Sequence, residues 1–207
     1  MLNNFLIKRL MSIKDAGLLR TLRTAQSRPA ATITINGRKF INFSSNNYLD
    51  LAINKEIYES AIKVIEKYGF TAASSRLTSG NLSIHEELEF KLANFKNKET
   101  CLLFPSGYQT NVGVISALMS NEPESCIIMD KLNHASLWDG AKLSGSRIFV
   151  YDHGDMNSLE KILRRVSKYK MKLVIAESVF SMDGDFTPLE DFVSLCQKYD
   201  AISMLDE

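Results

Sequence analysis

Residues 126–130 read Cys-Ile-Ile-Met-Asp and residues 172–176 read Lys-Leu-Val-Ile-Ala. Neither run alternates apolar with polar, and each is too short for a helix of useful length. Short unbroken apolar runs of this kind suit strands that are covered on both faces. Working outward, similar runs occupy residues 100–104, 147–151 and 201–206. Amphipathic segments lie between them. Leu159, Ile162, Leu163 and Val166 fall at i, i+3, i+4 and i+7, and Leu189, Phe192, Val193 and Cys196 repeat the spacing. Strand and helix alternating at this length predict an α/β fold with a mostly parallel sheet flanked by helices.

Upstream, residues 1–45 read as an N-terminal helical arm and hairpin, and residues 46–207 as a large domain. Apolar and basic positions recur at helical spacing from about 4 to 25. The segment Thr32-Ile-Thr-Ile-Asn-Gly-Arg-Lys-Phe-Ile then alternates around Asn36-Gly37, a strong hairpin signal. A helix over 55–68 places Ile57, Ala61, Val64 and Tyr68 on one face. A second is expected to start at Ser83, with Glu86 completing a capping box and Leu88, Leu92 and Phe95 as its buried stripe.

The net charge of +1 over 207 residues removes the basic surface that a nucleic-acid binder needs. No apolar run approaches the ~20 residues of a membrane span, and the first ten residues lack the pattern of a secretory signal. Cys101, Cys126 and Cys196 have apolar neighbours and no metal-ligand spacing, so they are expected to be reduced, buried core residues of a cytoplasmic protein. No metal site is expected. The last predicted strand reaches Asp206-Glu207, so the large domain is expected to be incomplete.

In open α/β sheets, ligands gather outside the carboxyl ends of the strands. Just past the predicted strands stand Pro105-Ser-Gly-Tyr-Gln-Thr-Asn, Lys131-Leu-Asn-His-Ala-Ser, Glu177-Ser-Val-Phe-Ser-Met-Asp-Gly-Asp and Asp206. A small-residue turn, a histidine, a hydroxyl cluster and a carboxylate would therefore converge on one edge. The Ser106-Gly107-Tyr108 turn opens a helix, where free N–H groups and the helix dipole suit a phosphate, although an ordinary βα turn has the same appearance. Taken alone, His134 reads as a locally bonded helix-start residue sooner than as a catalyst. Asp206, closing an apolar strand, calls for a cationic or hydrogen-bonded partner, or caps the following turn.

Together with Asn42-Phe-Ser-Ser-Asn-Asn-Tyr-Leu, Ser75-Arg-Leu-Thr-Ser-Gly and His85-Glu-Glu-Leu-Glu, the blocks Phe104-Pro-Ser-Gly-Tyr-Gln-Thr-Asn, Leu132-Asn-His-Ala-Ser-Leu-Trp-Asp-Gly, Val179-Phe-Ser-Met-Asp-Gly-Asp and Leu205-Asp-Glu resemble the α-oxoamine synthases. These are a branch of the fold-type I transferases that depend on pyridoxal 5'-phosphate (PLP). The resemblance implies a fold-type I large domain and roles by position. Gly107 and Tyr108 would contact the cofactor phosphate through their backbone. His134 would stack on the pyridine ring and touch substrate, Asp206 would pair with the ring nitrogen, and Ser181 would lie near the phenolic oxygen. Glu177 would orient neighbouring polar groups, and Arg20 and Asn46 would lie on the substrate side.

The implied reaction joins an amino acid to an acyl thioester with loss of CO2. In the most similar subfamily the substrates are L-alanine and pimeloyl-CoA or a pimeloyl carrier protein, in biotin synthesis. Relatives that use glycine or serine stay open as alternatives, and so does a non-catalytic subunit, because the family's Schiff-base lysine would lie beyond Glu207. The family also implies a homodimer with the active site at its interface. Where its members carry glycine, this chain has Thr71-Ala-Ala73.

Overall fold

The computed structural model describes residues 2–120 and 122–207; Met1 and Asn121 lie outside them. The chain divides between Glu86 and Glu87 into two compact units. The boundary expected at 45/46 falls inside the first.

In the first unit, α1 (Leu2–Asp15) stops well short of residue 25. Gly17 turns to φ 69, and the bonds Gly17 N–H to Lys14 O and Leu18 N–H to Ile13 O close the helix end in a Schellman arrangement. The hairpin forms as its sequence requires. β1 (Thr32–Ile35) and β2 (Arg38–Ile41) pair antiparallel from Thr32↔Ile41 to Ile35↔Arg38. Asn36 and Gly37 both adopt positive φ, 50 and 73, as a type I′ turn demands. Asn54 caps α2 (Lys55–Tyr68), accepting from the N–H groups of Glu56 and Ile57. Ala73 stands at φ 53, a conformation that glycine adopts without strain.

The helix α3 (Ser83–Phe95) corrects two expectations. The Ser83–Glu86 capping box is not made. Ser83 Oγ instead lies 2.9 Å from Tyr68 Oη, Glu86 accepts from Asn81 Nδ2, and the Leu82 N–H donates to His85 Nδ1 at 3.0 Å. Nor is the apolar stripe buried: Leu88 is 41% and Phe95 84% exposed, and Ala93 is the buried residue. Helical spacing tells which residues share a face; coverage of that face requires a partner element, and none lies over it among the described residues.

The second unit is a layered α/β structure. Its elements are α4 (Gly107–Met119), β3 (Ser125–Asp130), α5 (Ala135–Ser144), β4 (Arg147–Tyr151), α6 (Met156–Arg165), β5 (Met171–Glu177), α7 (Leu189–Lys198) and β6 (Ile202–Asp206). The strands form one parallel sheet in the order β4-β3-β5-β6. The expected strand at 100–104 is irregular instead. A strand needs a neighbour to pair with, and here the Leu103 N–H goes to the Glu89 carboxylate at 2.8 Å. Cys101, in that irregular segment, is correspondingly only half-buried, whereas Cys126 and Cys196 are buried, and burial pushes both of those thiols up to about 11.

Alternation along the central strands divides the core in two. Cys126, Ile128, Val174 and Ala176 pack with Leu159, Leu163, Phe192 and Cys196 of α6 and α7. Ile127, Met129, Leu173 and Ile175 pack with Ile115, Met119, Leu137 and Ala141 of α4 and α5. The crossover β3-α5-β4 steps toward one edge along the second face, while β4-α6-β5 and β5-α7-β6 step back along the first. A single crossover hand requires that change of face when the direction reverses. The reversal falls between β3 and β5, and sheets of this type bind ligands at the carboxyl ends of the strands beside such a switch.

The two helices on the second face meet closely at Gly140. A Cβ built there would lie 2.9 Å from the Asn111 carbonyl oxygen and 3.1 Å from the Val112 Cα, both backbone atoms. Helix propensity alone favours alanine over glycine by about 1 kcal/mol, but overpacking against backbone costs about 1–3 kcal/mol. Gly140→Ala is therefore expected to lower stability in urea unfolding, despite its better propensity. An unchanged or raised midpoint would show that α4 and α5 can separate freely.

Candidate active site

Polar groups collect at the carboxyl end of the sheet in two clusters, and residue parity assigns each to a face. Glu177 and Asp206 are register partners. They lie two residues beyond Ile175 and Met204, which face α4 and α5, so their side chains project the same way. α4 supplies Asn111 there, and α5 supplies Ser136 with His134 at its start. Asn111 Nδ2 donates to Asp206 Oδ2 at 2.9 Å and to Ser136 Oγ at 3.0 Å. Ser136 Oγ lies 2.8 Å from His134 Nδ1, and the backbone N–H of His134 donates to Glu177 Oε1. The Ser178 N–H bonds the Asp206 carbonyl at 2.8 Å.

Local sequence explains these positions. His134 is the N-cap of α5, its ring nitrogen accepting from the Ser136 N–H as a serine or aspartate oxygen would. Ser106 caps α4 by accepting from the Gln109 N–H, which leaves the first-turn N–H groups, including those of Gly107 and Tyr108, without helical partners. The Tyr108 side chain turns to Asp139, donating at 3.0 Å, and this bond raises the phenol's pKa. Burial pushes the Glu177 carboxyl above the ordinary range; the bond from the His134 N–H opposes this, and the neighbouring Asp206 charge adds to it.

The second cluster lies on the α6/α7 side, with Asp130 as its centre. This carboxylate, 1% exposed, accepts from the N–H groups of Leu132 and Gly154 and from His153 Nδ1 at 3.0 Å. His153 Nε2 contacts Asp185 Oδ2 at 2.9 Å, and the ring stands edge-on to Phe180. Asp185 and Phe180 bracket the turn 180–184, which the Phe180 N–H to Asp185 O and Gly184 N–H to Phe180 O bonds close. His153 thus ties that turn to the end of the sheet.

The structure brings Gly107, Tyr108, His134, Glu177 and Asp206 to one end of the second unit. Ser181 is exposed on the tip of the 180–184 turn and makes no hydrogen bond to those residues among the described ones. Arg20 and Asn46 are exposed residues of the first unit, the former beyond α1 and the latter in a bend. Asn111, Ser136, Asp130 and His153 were not singled out from sequence. Asn111 carried a signal: it precedes Ile115 and Met119 by four and eight residues, a polar side chain on the buried stripe of a helix. A cavity of about 860 Å³ lies against the hairpin, lined by Leu22, Arg23, Ile33, Phe40 and Phe43 among others; it contains none of these strand-end groups.

Residues 38–207 match the aminotransferase class I and II family. The chain belongs to that family. It is 44% identical over 205 residues to 8-amino-7-oxononanoate synthase of Thermoanaerobacter pseudethanolicus, covering 99% of this chain and 51% of that protein. With 8-amino-7-oxononanoate synthase 2 of Bacillus subtilis it shares 41% identity, covering 100% and 52%. The chain therefore spans about half the length of the curated relatives it matches. Among solved structures, serine palmitoyltransferase from S. paucimobilis with PLP and myriocin bound superposes with a TM-score of 0.87 at 29% identity, covering 100% of this chain and 54% of that one. An 8-amino-7-oxononanoate synthase from Francisella tularensis gives 0.64 at 27% identity, covering 80% and 44%. The fold-type I architecture expected from the motifs is the one observed. No helix among the described residues is long and apolar enough to cross a membrane.

Membership leaves the His153 cluster with a testable electrostatic signature. Burial pulls the imidazole's pKa down, but the bonds to Asp185 and Asp130 and their charges outweigh it, so the net shift is upward. A raised folded-state pKa means that the stabilisation is complete below the unfolded value of about 6.5 and is lost as pH rises through the folded value. Thermal melts of the chain between pH 6 and 9 should show this loss, and His153→Gln should flatten the profile. Parallel profiles for the two proteins would remove His153 as the tie.

Proposed function

We propose that this chain forms the cofactor-binding part of an α-oxoamine synthase, a PLP-dependent enzyme that condenses an amino acid with an acyl thioester and releases CO2. The single observation behind this reading is the carboxylate of Asp206, half-buried at a strand end and joined to His134 through Asn111 and Ser136, with no ion pair among the described residues. An acidic group so placed suits a protonated ring nitrogen, because burying it without a cation is costly. Open space supports the same fit: a Cβ built on Gly107 meets nothing within 4 Å, which leaves room at the start of α4 for a phosphate.

When bound, PLP supplies an electron sink for charge developing at the amino acid's α-carbon. The chain's residues then have separable tasks. The N–H groups of Gly107 and Tyr108, with the helix dipole behind them, hold a phosphate. Asp206 keeps a proton on the ring nitrogen by raising its affinity for that proton. His134 covers the ring face and touches substrate, Glu177 anchors the His134 backbone, and Ser181 serves the phenolic oxygen. The resemblance assigns Arg20 and Asn46 to the substrate.

Among substrates, L-alanine with a pimeloyl thioester, as in biotin synthesis, is the reading we adopt. Identities of 44% and 41% over essentially the whole chain to two 8-amino-7-oxononanoate synthases support it. The closer superposition on serine palmitoyltransferase favours the second reading, serine with a long acyl chain. The proposed thioester donor is pimeloyl-CoA or a pimeloyl carrier protein, and we propose a homodimer with the site at its interface.

Release of CoA by the whole enzyme, assayed with L-alanine, glycine and L-serine against short, pimeloyl and long acyl thioesters, separates these readings. Alanine with pimeloyl-CoA should lead; serine with a long acyl chain in the lead would establish the second reading. Asp206→Ala should lower turnover by a factor on the order of 100 or more, as loss of a preorganised electrostatic partner does, with the circular dichroism spectrum preserved. Normal turnover in that variant would remove the ring-nitrogen role.

A further inference from the structure

We propose that Asn111 is a positioning residue whose one amide group sets both the direction of the Asp206 carboxylate and the tautomer of His134. The inference rests on the reading of those two residues as cofactor-facing.

The argument is one of hydrogen-bond polarity. Asn111 is 5% exposed, and its backbone sits where α4 meets Gly140 of α5, with no room for even a methyl group between them. Its amide is therefore held in place. A carboxylate can only accept, so the amide atom 2.9 Å from Asp206 Oδ2 must be the nitrogen. That nitrogen has two hydrogens. One goes to Asp206, and the other is directed at Ser136 Oγ, 3.0 Å away.

Ser136, itself 1% exposed, accepts from Asn111 and so has its own hydroxyl proton to give. The acceptor within reach is His134 Nδ1 at 2.8 Å, and the Ser136 backbone N–H approaches the same nitrogen at 3.3 Å. Two donors converge on Nδ1, which must then offer its lone pair. In the neutral ring the hydrogen resides on Nε2. The chain of bonds thus runs in one direction, from the Asn111 amide through the Ser136 hydroxyl to the imidazole. At its two ends it leaves defined chemistry: His134 turns an N–H donor toward the open side, and Asp206, with Oδ2 committed, keeps Oδ1 for a ring nitrogen. Reversing any one donor would place two acceptors or two donors face to face.

The test reads the tautomer directly. Nitrogen-15 NMR of the histidine rings in the full chain, assigned by substituting His85 and His153, the other two of its three histidines, requires neither cofactor nor substrate. At a pH where His134 is neutral, wild type should show the Nε2–H form. Ser136→Ala keeps the backbone N–H on Nδ1 but loses the hydroxyl donor, so it should raise the share of the Nδ1–H form with the Asp206 carboxyl carbon shift unchanged. Asn111→Leu should raise that share and move the Asp206 shift as well. A wild-type ring protonated on Nδ1 would overturn the proposal whether or not either variant folds, and so would variants that keep the wild-type tautomer. If the tautomer is as stated but the whole enzyme transfers no acyl group, the functional reading fails and the role of Asn111 stands.

Discussion

A parallel sheet must have both faces covered, and every other feature of the second unit follows from how that requirement is met. Even-numbered side chains of β3 and β5 are buried under α6 and α7, and odd-numbered ones under α4 and α5. With both layers apolar, polar groups are confined to the ends of the strands, where the covering runs out. The reversal of crossover direction then sends the chain after β3 and after β5 to opposite faces, which puts the switch point between those two strands. The site is in this sense a by-product of covering the sheet.

Parity also explains why two polar clusters exist rather than one. Glu177 and Asp206 fall on the α4/α5 side, while Asp130 aligns with Tyr151 on the other. Each cluster satisfies its buried carboxylate with N–H donors from adjoining loops, which is what makes burial of a charge tolerable. One cluster is built around groups that face outward, with an exposed His134; the other is consumed in holding a turn. Their chemistry differs because their partners differ, not because the residue types do.

The parts legible in sequence are those set by local periodicity. The strands at 147–151 and 202–206, the hairpin at Asn36-Gly37 and the helices α2, α6 and α7 all lie within a few residues of their expected places. The gathering of His134 and Asp206 at one end was legible too, because parallel strands separated by crossovers must all end on the same side; Gly107 reaches that end at the start of α4 and not after a strand. What was hidden depends on partners distant in sequence. Among the described residues, the run at 100–104 looks like a strand but has no edge to join, and Leu88 and Phe95 share a face that no element covers. Asn111 and Asp206 are 95 residues apart, and no pattern within either segment announces the bond between them. Ala73 shows a further limit: its left-handed backbone is visible only in coordinates.

β6 pairs with β5 from Leu173↔Ile202 to Glu177↔Asp206. The carboxylate at its end is steadied crosswise by Asn111, from a helix that belongs to another layer. A charge meant to act at a fixed point thus has two anchorages of different kinds, one in the backbone ladder and one in a side-chain amide, so a slide of α4 over the sheet would re-aim it while every strand pairing stayed intact.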